Sequence, residues 1–192
     1  MSQDQLISLF LETTTLKRLP RTGWLLRGVP NAESIADHSF NTAFVVLALA
    51  DVLNASGTLP APLDAGKALA IAVLHDLPEA RLTDLPGPTQ RLIPREVKAE
   101  AEAKALDALT DALPSAGQFR SLWHEFEDAS TPEGKLVRDA DKVEMMIQCL
   151  RYELSGSRGL DDFWAGMDRQ DWHYPLCADL YARLKGMRPG NG

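Results

Sequence analysis

The segment LHDLPEA at 74–80 places a histidine and an aspartate side by side at the end of an apolar run, ALAIAVL. His75 and Asp76 are therefore polar groups next to predicted core, and buried polar groups need partners. Neutral imidazole and carboxylate are ligands for divalent cations such as Mn, Co, Fe or Zn, so one metal ion would satisfy both residues. An isolated His-Asp pair is nevertheless more often a surface pair or a hydrogen-bonded core pair.

Two further segments place ligand-type residues beside apolar helix faces. His38 lies in ESIADHSFNTAFVVLALA and Asp141 lies in LVRDADKVEMMIQCL. If these helices pack against the one that ends at His75, two histidines and two aspartates form a mixed N/O site with room for water and substrate. Spacing alone leaves separate capping and salt-bridge roles open. We expect Asp37 to be an N-cap and Asp139 to face solvent, both outside the site.

Apolar residues recur with the 3.6-residue period of helices rather than with strict alternation, which predicts a nearly all-α fold. Proline- and glycine-rich segments at 58–66, 84–90 and 155–159 separate the periodic stretches. The predicted helices are 2–18, 37–55, 65–77, 94–113, 116–128, 132–155, 160–169 and 175–187.

Several ionisable residues receive no site role. The segment 94–113 is rich in Ala, Glu and Lys, so Glu96, Glu100 and Glu102 are expected on a solvated helix face. His124 is expected on a helix surface and His173 in a loop.

Composition limits the classes of partner. With 192 residues, 45% hydrophobic and 24% charged, the chain fits one globular domain. Its formal net charge of −7 disfavours nucleic acid polymers as partners. A small phosphorylated substrate would need a few Arg or Lys side chains or a bound cation to offset its charge.

Cysteine content and hydropathy suggest the compartment. The two cysteines, Cys149 and Cys177, have no CxxC spacing, and the N-terminal residues lack the features of a secretory signal. The longest apolar stretch, AFVVLALADVL, is broken by Asp51 and is too short to span a bilayer. We expect a cytoplasmic protein with no membrane partner.

The pattern H…HD…D across His38, His75, Asp76 and Asp141 resembles the metal signature of the HD-domain superfamily. One branch of that superfamily, the 5′-deoxynucleotidases, is similar over three blocks at 16–39, 75–88 and 136–153. The combination of PRTGW, ESIADHS and HDLPEA distinguishes this branch from other HD hydrolases.

The resemblance implies a single, mostly helical HD domain over 1–192, with core motifs between 16 and 153. It implies a homodimer that uses a divalent cation (Mn, Co, Mg, Fe or Zn) to convert deoxynucleoside 5′-monophosphates to deoxynucleosides and phosphate. Alternatives are an HD phosphohydrolase with another nucleotide substrate and a non-catalytic HD regulatory module. The matched ligand positions are all present, which argues against a degenerate module.

Residue by residue, the resemblance implies that His38, His75, Asp76 and Asp141 are metal ligands. Glu79 and Asp84 match acidic residues that activate or position water and hold an additional cation in some members. Glu79 follows Asp76 by about one helical turn, which would bring both into one cavity if the helix continued past Pro78.

The remaining matches concern the substrate. Arg21 matches the phosphate-orienting arginine, and Trp24 matches a tryptophan beside the sugar, although Thr22 and Gly23 separate the two here. The turn of Asp84, Leu85, Pro86 and Gly87 matches a substrate-contacting loop, with Gly87 in place of a threonine found in some members. From the residues alone, Arg21 could equally pair with a surface carboxylate, Glu79 cap a loop and Trp24 belong to the core.

Overall fold

A computed structural model describes residues 1–190, and over that range its regular structure is helical. The all-α prediction is confirmed for these residues, in which Pro20 and Ser34 form an isolated antiparallel bridge. A 3₁₀ turn at Thr14–Lys17 follows the first helix. The α-helices are α1 (Gln3–Thr13), α2 (Thr22–Leu25), α3 (Ile35–Ser56), α4 (Ala65–Leu74), α5 (Glu79–Leu82), α6 (Gly87–Gln90), α7 (Arg95–Thr110), α8 (Ala116–Glu127), α9 (Pro132–Leu154), α10 (Asp161–Met167) and α11 (Pro175–Gly186).

The long helix α3 has clear signals at both ends. Ser34 is its N-cap, and its side chain exchanges hydrogen bonds with Asp37 in a capping box. Gly57 ends the helix in the left-handed conformation at φ 66°, which glycine adopts without a Cβ penalty. The expectation that Asp37 is the N-cap is therefore wrong by three residues. Ser34 is the N-cap, and Asp37, at the N3 position, accepts a hydrogen bond from the backbone N–H of Ser34.

The longest helix, α9, starts at a close crossing with α8. Its N-cap Thr131 accepts a hydrogen bond from the backbone N–H of Gly134, with Pro132 at the first helical position. A Cβ atom at Gly134 would lie 2.1 Å from the carbonyl oxygen of Glu125, so only glycine lets the two helices approach this closely. Gly134 thus allows the close contact between the start of α9 and the end of α8.

Two apolar clusters hold the helices together. The larger one joins α3, α4, α8 and α9 around Val46, Ile71, Leu136 and Val137. The second packs Trp24 against α9, α10 and α11. Because α3 and α9 cross the centre, their inward faces carry ligand-type side chains into the core, where His38 and Asp141 are buried.

The helix predicted over 65–77 ends earlier, at Leu74. His75 to Pro78 form a turn, and α5 begins at Glu79. Pro78 explains the break, since it lacks a backbone N–H and disfavours helical geometry at the preceding residue. His75 and Asp76 therefore project from a turn rather than from a helix face.

Other boundaries agree to within a few residues, apart from four elements. The first predicted helix, 2–18, divides into α1 and the 3₁₀ turn. The helices α2, α5 and α6 have four residues each and were not predicted, because a single turn is too short to show a 3.6-residue period.

Two acidic residues expected in solvent are buried. Asp139 is fully buried, and its Oδ2 accepts a hydrogen bond of 2.8 Å from the backbone N–H of Tyr174. Glu102 on α7 is 7% exposed and forms an ion pair with Lys98, whose Nζ lies 2.5 Å from Glu102 Oε1. Both expectations were wrong because the covering segments come from elsewhere in the chain, whereas Glu96 and Glu100 are exposed as predicted.

Helix α3 is also the one span, among the described residues, that is long and apolar enough to cross a membrane, with a mean hydropathy of 1.3 over its most apolar window. Its inward face belongs to the main apolar cluster, as expected for a core helix. Its 22 residues exceed the apolar stretch recognised in the sequence. The absence of a membrane partner stays a prediction.

Candidate metal centre and active site

The side chains of His38, His75 and Asp76 meet in the core, where one ligand atom from each lies within 4.8 Å of the others. His38 comes from α3 and the other two from the turn after α4. The two Nε2 atoms are 3.4 Å apart, and Asp76 Oδ2 lies 3.3 Å from that of His75 and 3.6 Å from that of His38. Asp141 on α9 joins through Oδ1, 3.2 Å from His38 Nε2. Three separate segments thus bring the four predicted ligands together.

Each histidine is oriented by a partner on its other ring nitrogen. His38 Nδ1 lies 2.5 Å from Glu144 Oε2, and His75 Nδ1 lies 2.7 Å from the carbonyl oxygen of Ala72. Such contacts fix the ring and its tautomer in metal sites, leaving Nε2 for the metal. Sequence reasoning missed Glu144. Its position three residues after Asp141, on the same face of α9, was the available signal.

Charge is concentrated in this cluster. Burial and nearby Arg21 oppose protonation of His38, but hydrogen bonds to Asp141 and Glu144 prevail and raise its pKa to about 9. Burial also opposes ionisation of Asp76 and Asp141. Favourable interactions with His75 for Asp76, and with Lys142 and His38 for Asp141, nevertheless hold the pKa of each below its usual value. Both aspartates are therefore carboxylates at neutral pH.

Arg21 lies beside the cluster, with Nη1 3.1 Å from Asp76 Oδ2. Its backbone N–H donates to the carbonyl of Glu33, next to the isolated bridge, so the start of α2 is held against the residues that lead into α3. Burial disfavours the charge on Arg21, yet Asp76 and Asp84 outweigh it and raise the pKa above its ordinary value. Arg21 therefore remains a cation beside the acidic side chains of Asp76 and Asp84.

Glu79, the first residue of α5, is 8% exposed, and its Oε2 has no hydrogen-bond partner. Burial and the negative charge of Asp76 raise its pKa to about 10. In this arrangement Glu79 keeps its proton at neutral pH. A buried carboxyl group with a free oxygen and a raised pKa is typical of sites that bind cations or transfer protons.

Asp84 lies on the loop after α5 and is anchored by α2. The backbone N–H of Thr22 donates to its Oδ2, and the Thr22 hydroxyl donates to its carbonyl oxygen at 3.0 Å. Thr83, just before it, has a positive φ of 63°, which is strained for a β-branched residue. The loop therefore keeps a defined shape next to Arg21.

Two cavities meet at Arg21, Asp84, Gln90 and Lys142, which line both. The polar cavity, about 380 Å³, extends from the cluster toward α7 and the end of α8. The second cavity, about 320 Å³, runs between the 84–91 segment and α10, and polar and apolar groups contribute about equally to its lining. We call it the apolar cleft because it is the less polar of the two cavities. Its lining includes every residue expected to contact substrate: Arg21, Trp24, Asp84, Leu85, Pro86 and Gly87.

Trp24 occupies the bottom of the apolar cleft and is only 1% exposed. Its indole N–H donates to Glu33 at 2.9 Å, and its ring stacks on Phe163 with centroids 4.3 Å apart. Trp24 is thus mainly a core residue, which is the simpler of the two readings that its sequence context allowed. Lys142, Met145, Phe163 and Met167 also line the cleft, and sequence reasoning did not single them out.

The other two histidines lie apart from this region. His124 is exposed on α8 and His173 is exposed in the loop before α11, as expected.

Comparison with known proteins gives a consistent result. The HD-domain family model matches residues 13–165. The 5′-deoxynucleotidase HDDC2 of Bos taurus is 33% identical over 92% of this chain and 82% of its own length. The 5′-deoxynucleotidase hdd1 of Schizosaccharomyces pombe is 35% identical over 79% and 75% of the two chains.

Solved structures agree. A conserved hypothetical protein from Pyrococcus furiosus is 43% identical, with a TM-score of 0.77 over 94% of this chain and 98% of its own. The PH0347 protein from Pyrococcus horikoshii is 40% identical, with a TM-score of 0.79 over 95% and 99% of the two chains. By sequence and by fold, the chain belongs to the HD-domain family and groups with relatives that are named 5′-deoxynucleotidases.

Proposed function

We propose that this protein is a metal-dependent 5′-deoxynucleotidase, which converts deoxynucleoside 5′-monophosphates to deoxynucleosides and phosphate. The observation that carries the proposal is the convergence of His38, His75 and Asp76, with Asp141, beside one buried arginine. The two relatives described above, which are named 5′-deoxynucleotidases, are 35% and 33% identical over most of the chain. The Arg21 cation and the adjoining cleft fit an anionic substrate with an organic group.

The cluster suits a divalent cation. Both histidine Nδ1 atoms are engaged, so both Nε2 atoms face one another and the carboxylates. His38, His75, Asp76 and Asp141 would hold the ion with two nitrogens and two oxygens. Imidazole donors suit Fe, Co and Zn, whereas carboxylates suit Mg and Mn, and we propose a cation from this group. Such an ion would neutralise phosphate charge and make a water molecule more acidic.

Arg21 would bind the phosphate. Its guanidinium makes one hydrogen bond to Asp76 and retains further N–H groups, in a planar arrangement that matches two phosphate oxygens. Because Arg21 lines both cavities, a phosphate held there would leave the nucleoside in the apolar cleft.

Glu79 would accept a proton from the attacking water, and Asp84 would position that water. Glu79 Oε2 has no partner and its side chain lines the polar cavity, so it can hold a proton or accept one from water. A cation in the neighbouring cluster favours its ionised form. The base role therefore belongs to the metal-loaded protein. Asp84, which Thr22 fixes and which lines the same cavity, would position the water.

The test is phosphate release from matched panels of 5′-dNMPs and 5′-NMPs, after chelation and then with Mn, Co, Mg, Fe or Zn restored. Metal-dependent release that favours dNMPs is the expected result. Equal release from both panels would reduce the proposal to a general nucleotidase, and silence with every metal would overturn it.

The homodimer remains a proposal, and the outer face of α3 supports it. Phe40, Phe44 and Leu47 are 75%, 67% and 39% exposed and, at positions i, i+4 and i+7, lie on one face of the helix. An exposed apolar stripe of this kind is typical of an interface. Phe44→Glu should give a folded monomer in light scattering, and a wild-type protein that is monomeric at all concentrations would contradict it.

Three broader expectations also stay proposals: one domain over 1–192, no nucleic acid polymer as a partner, and a cytoplasmic location. Free, buried thiols at Cys149 and Cys177 fit a reducing compartment.

A further inference from the structure

The apolar cleft contains an aromatic surface, the ring of Phe163, that lies outside the three segments similar to the 5′-deoxynucleotidases. Phe163 belongs to α10, far along the chain from the PRTGW and HDLPEA segments, and is partly exposed in the cleft wall. Met145 and Met167 line the same wall. An aromatic ring flanked by thioether side chains is a suitable surface for a flat, polarisable group.

Trp24 cannot supply this surface. It is 1% exposed, its N–H is used by Glu33, and one ring face is covered by Phe163. Residue 23 beside it is glycine, and a Cβ there would lie 3.3 Å from the Phe163 ring, so the glycine leaves the ring room in its present position. Trp24 therefore acts as a support, and Phe163 presents the aromatic surface that faces the cleft.

The cleft leads directly to the site of chemistry. Arg21, Asp84 and Lys142 line both the cleft and the polar cavity that contains the metal cluster. A phosphate held by Arg21 would thus direct the remainder of a nucleotide toward α10. The cleft volume of about 320 Å³ lies within the range of small-molecule sites.

Resting on the proposed function, we propose that Phe163 is a substrate-binding residue on which the nucleobase stacks, with Met145 and Met167 beside it. Stacking uses the π-face that every base has, so it tolerates different bases. Arg27 lines the same wall, where Asp162 holds its side chain and its guanidinium carbon lies 6.0 Å from the centroid of the Phe163 ring, so a stacked base would lie beside this cation. The enzyme should accept purine and pyrimidine deoxynucleotides alike, with the base contributing affinity rather than selectivity.

The test compares substrates with and without a base: dAMP, dCMP and 2-deoxyribose 5-phosphate. Phe163→Leu keeps an apolar side chain but removes the aromatic face. It should lower kcat/KM for both nucleotides by about tenfold, mainly through KM, which corresponds to a loss of about 1.4 kcal/mol of base–aromatic stacking. Hydrolysis of 2-deoxyribose 5-phosphate should not change, and Phe163→Tyr should retain wild-type values on all three substrates.

A merely structural role for Phe163 gives a different pattern. If Phe163 only supported Trp24, Phe163→Leu would impair all three substrates equally, and the proposal would be wrong. An unchanged KM for both nucleotides would also overturn it. Phe119→Leu is a matched control, because Phe119 is partly buried on α8 and does not line the cleft.

Failure of the wider assignment is distinguishable. If the wild-type protein hydrolyses neither the nucleotides nor 2-deoxyribose 5-phosphate with any metal, the proposed function itself fails. If it hydrolyses all three with equal kcat/KM, the function stands and the stacking proposal falls.

Discussion

The polar cavity and the apolar cleft share Arg21 but are built from different kinds of structure. Two of the four predicted ligands come from α3 and α9, which have 22 and 23 residues and pack through the main core, and the other two from the turn that directly follows the core helix α4. The cleft is made largely of the 84–91 segment and α10, which has seven residues. Reactive groups thus rest on elements that many core contacts hold in place, whereas the surface for the organic part of a substrate rests on short segments. Substitutions in the two regions should consequently affect different kinetic parameters.

The largest effect is expected at Asp141. Asp141→Asn replaces a carboxylate oxygen next to His38 with a neutral amide, so the metal loses a charged ligand. Metal occupancy should fall strongly and phosphate release should drop by about a thousandfold or more. Metal analysis of the purified protein and circular dichroism check this. Full occupancy would remove Asp141 from the ligand set, and Asp51→Asn, at an exposed position on α3, is the matched control.

Glu79→Gln should separate catalysis from metal binding. Turnover should fall by about 10²- to 10⁴-fold with metal retained, because a proton-transfer group is lost. Near-normal turnover would exclude Glu79 from the mechanism.

The same substitution should stabilise the metal-free protein. The pKa of Glu79 is about 10 in the folded protein against an ordinary value of 4.5, so the contribution of its protonated form is complete below pH 4.5 and is lost as pH rises toward 10. At pH 7 to 8, Glu79→Gln should raise the free energy of unfolding by on the order of 1–3 kcal/mol, with little difference near pH 4.5. Thermal melts in chelator across this pH range are the measurement, and a pH-independent difference would contradict the explanation.

A smaller effect is expected one contact away from the metal. Glu144→Gln weakens the partner that orients His38, and metal affinity should decrease by about 10- to 100-fold. At saturating metal, activity should largely recover, which a general folding defect would not allow. Titration with Mn or Co gives the affinity, and Glu125→Gln on α8 is a control that should leave it unchanged.

The smallest effect is expected in the cleft. Gly23→Ala places a methyl group 3.3 Å from Phe163, and that partly exposed ring can move by the few tenths of an ångström required. KM for dNMPs should rise by about twofold to threefold, a few tenths of a kcal/mol, with kcat unchanged. Steady-state kinetics decide, and a large loss of kcat would show that the two cavities are not separable in the way that their construction suggests.

The comparison also explains how much the sequence could predict. The long helices were predicted because amphipathic periodicity is a local signal. The four ligand positions were predicted from the family resemblance, since the residues alone left separate capping and salt-bridge roles open; the structure brings the four side chains together, and their role as metal ligands stays a prediction. The lining of the apolar cleft was predicted only in part. Phe163 and Trp24 are far apart in the sequence, and no local pattern marks their contact.

The errors have the same physical origin. Asp139 is surrounded by apolar and charged neighbours in sequence, yet its partner is the backbone N–H of Tyr174, which arrives with α11. Pro78 was recognised as a possible helix breaker, but the resulting turn, which carries His75 and Asp76, depended on where α4 ended. Burial by distant segments and the direction of a turn are properties of the whole fold.

The way α10 is attached has a consequence for how such enzymes diversify. It follows α9 after a loop in which Gly156 and Gly159 have positive φ values of 102° and 76°, so the chain reverses there on residues that tolerate this geometry. Phe163, Gly166 and Met167 lie together on this one short helix. Evolution or protein design could therefore change this wall of the cleft by changing α10 alone, while the residues of the polar cavity stay the same.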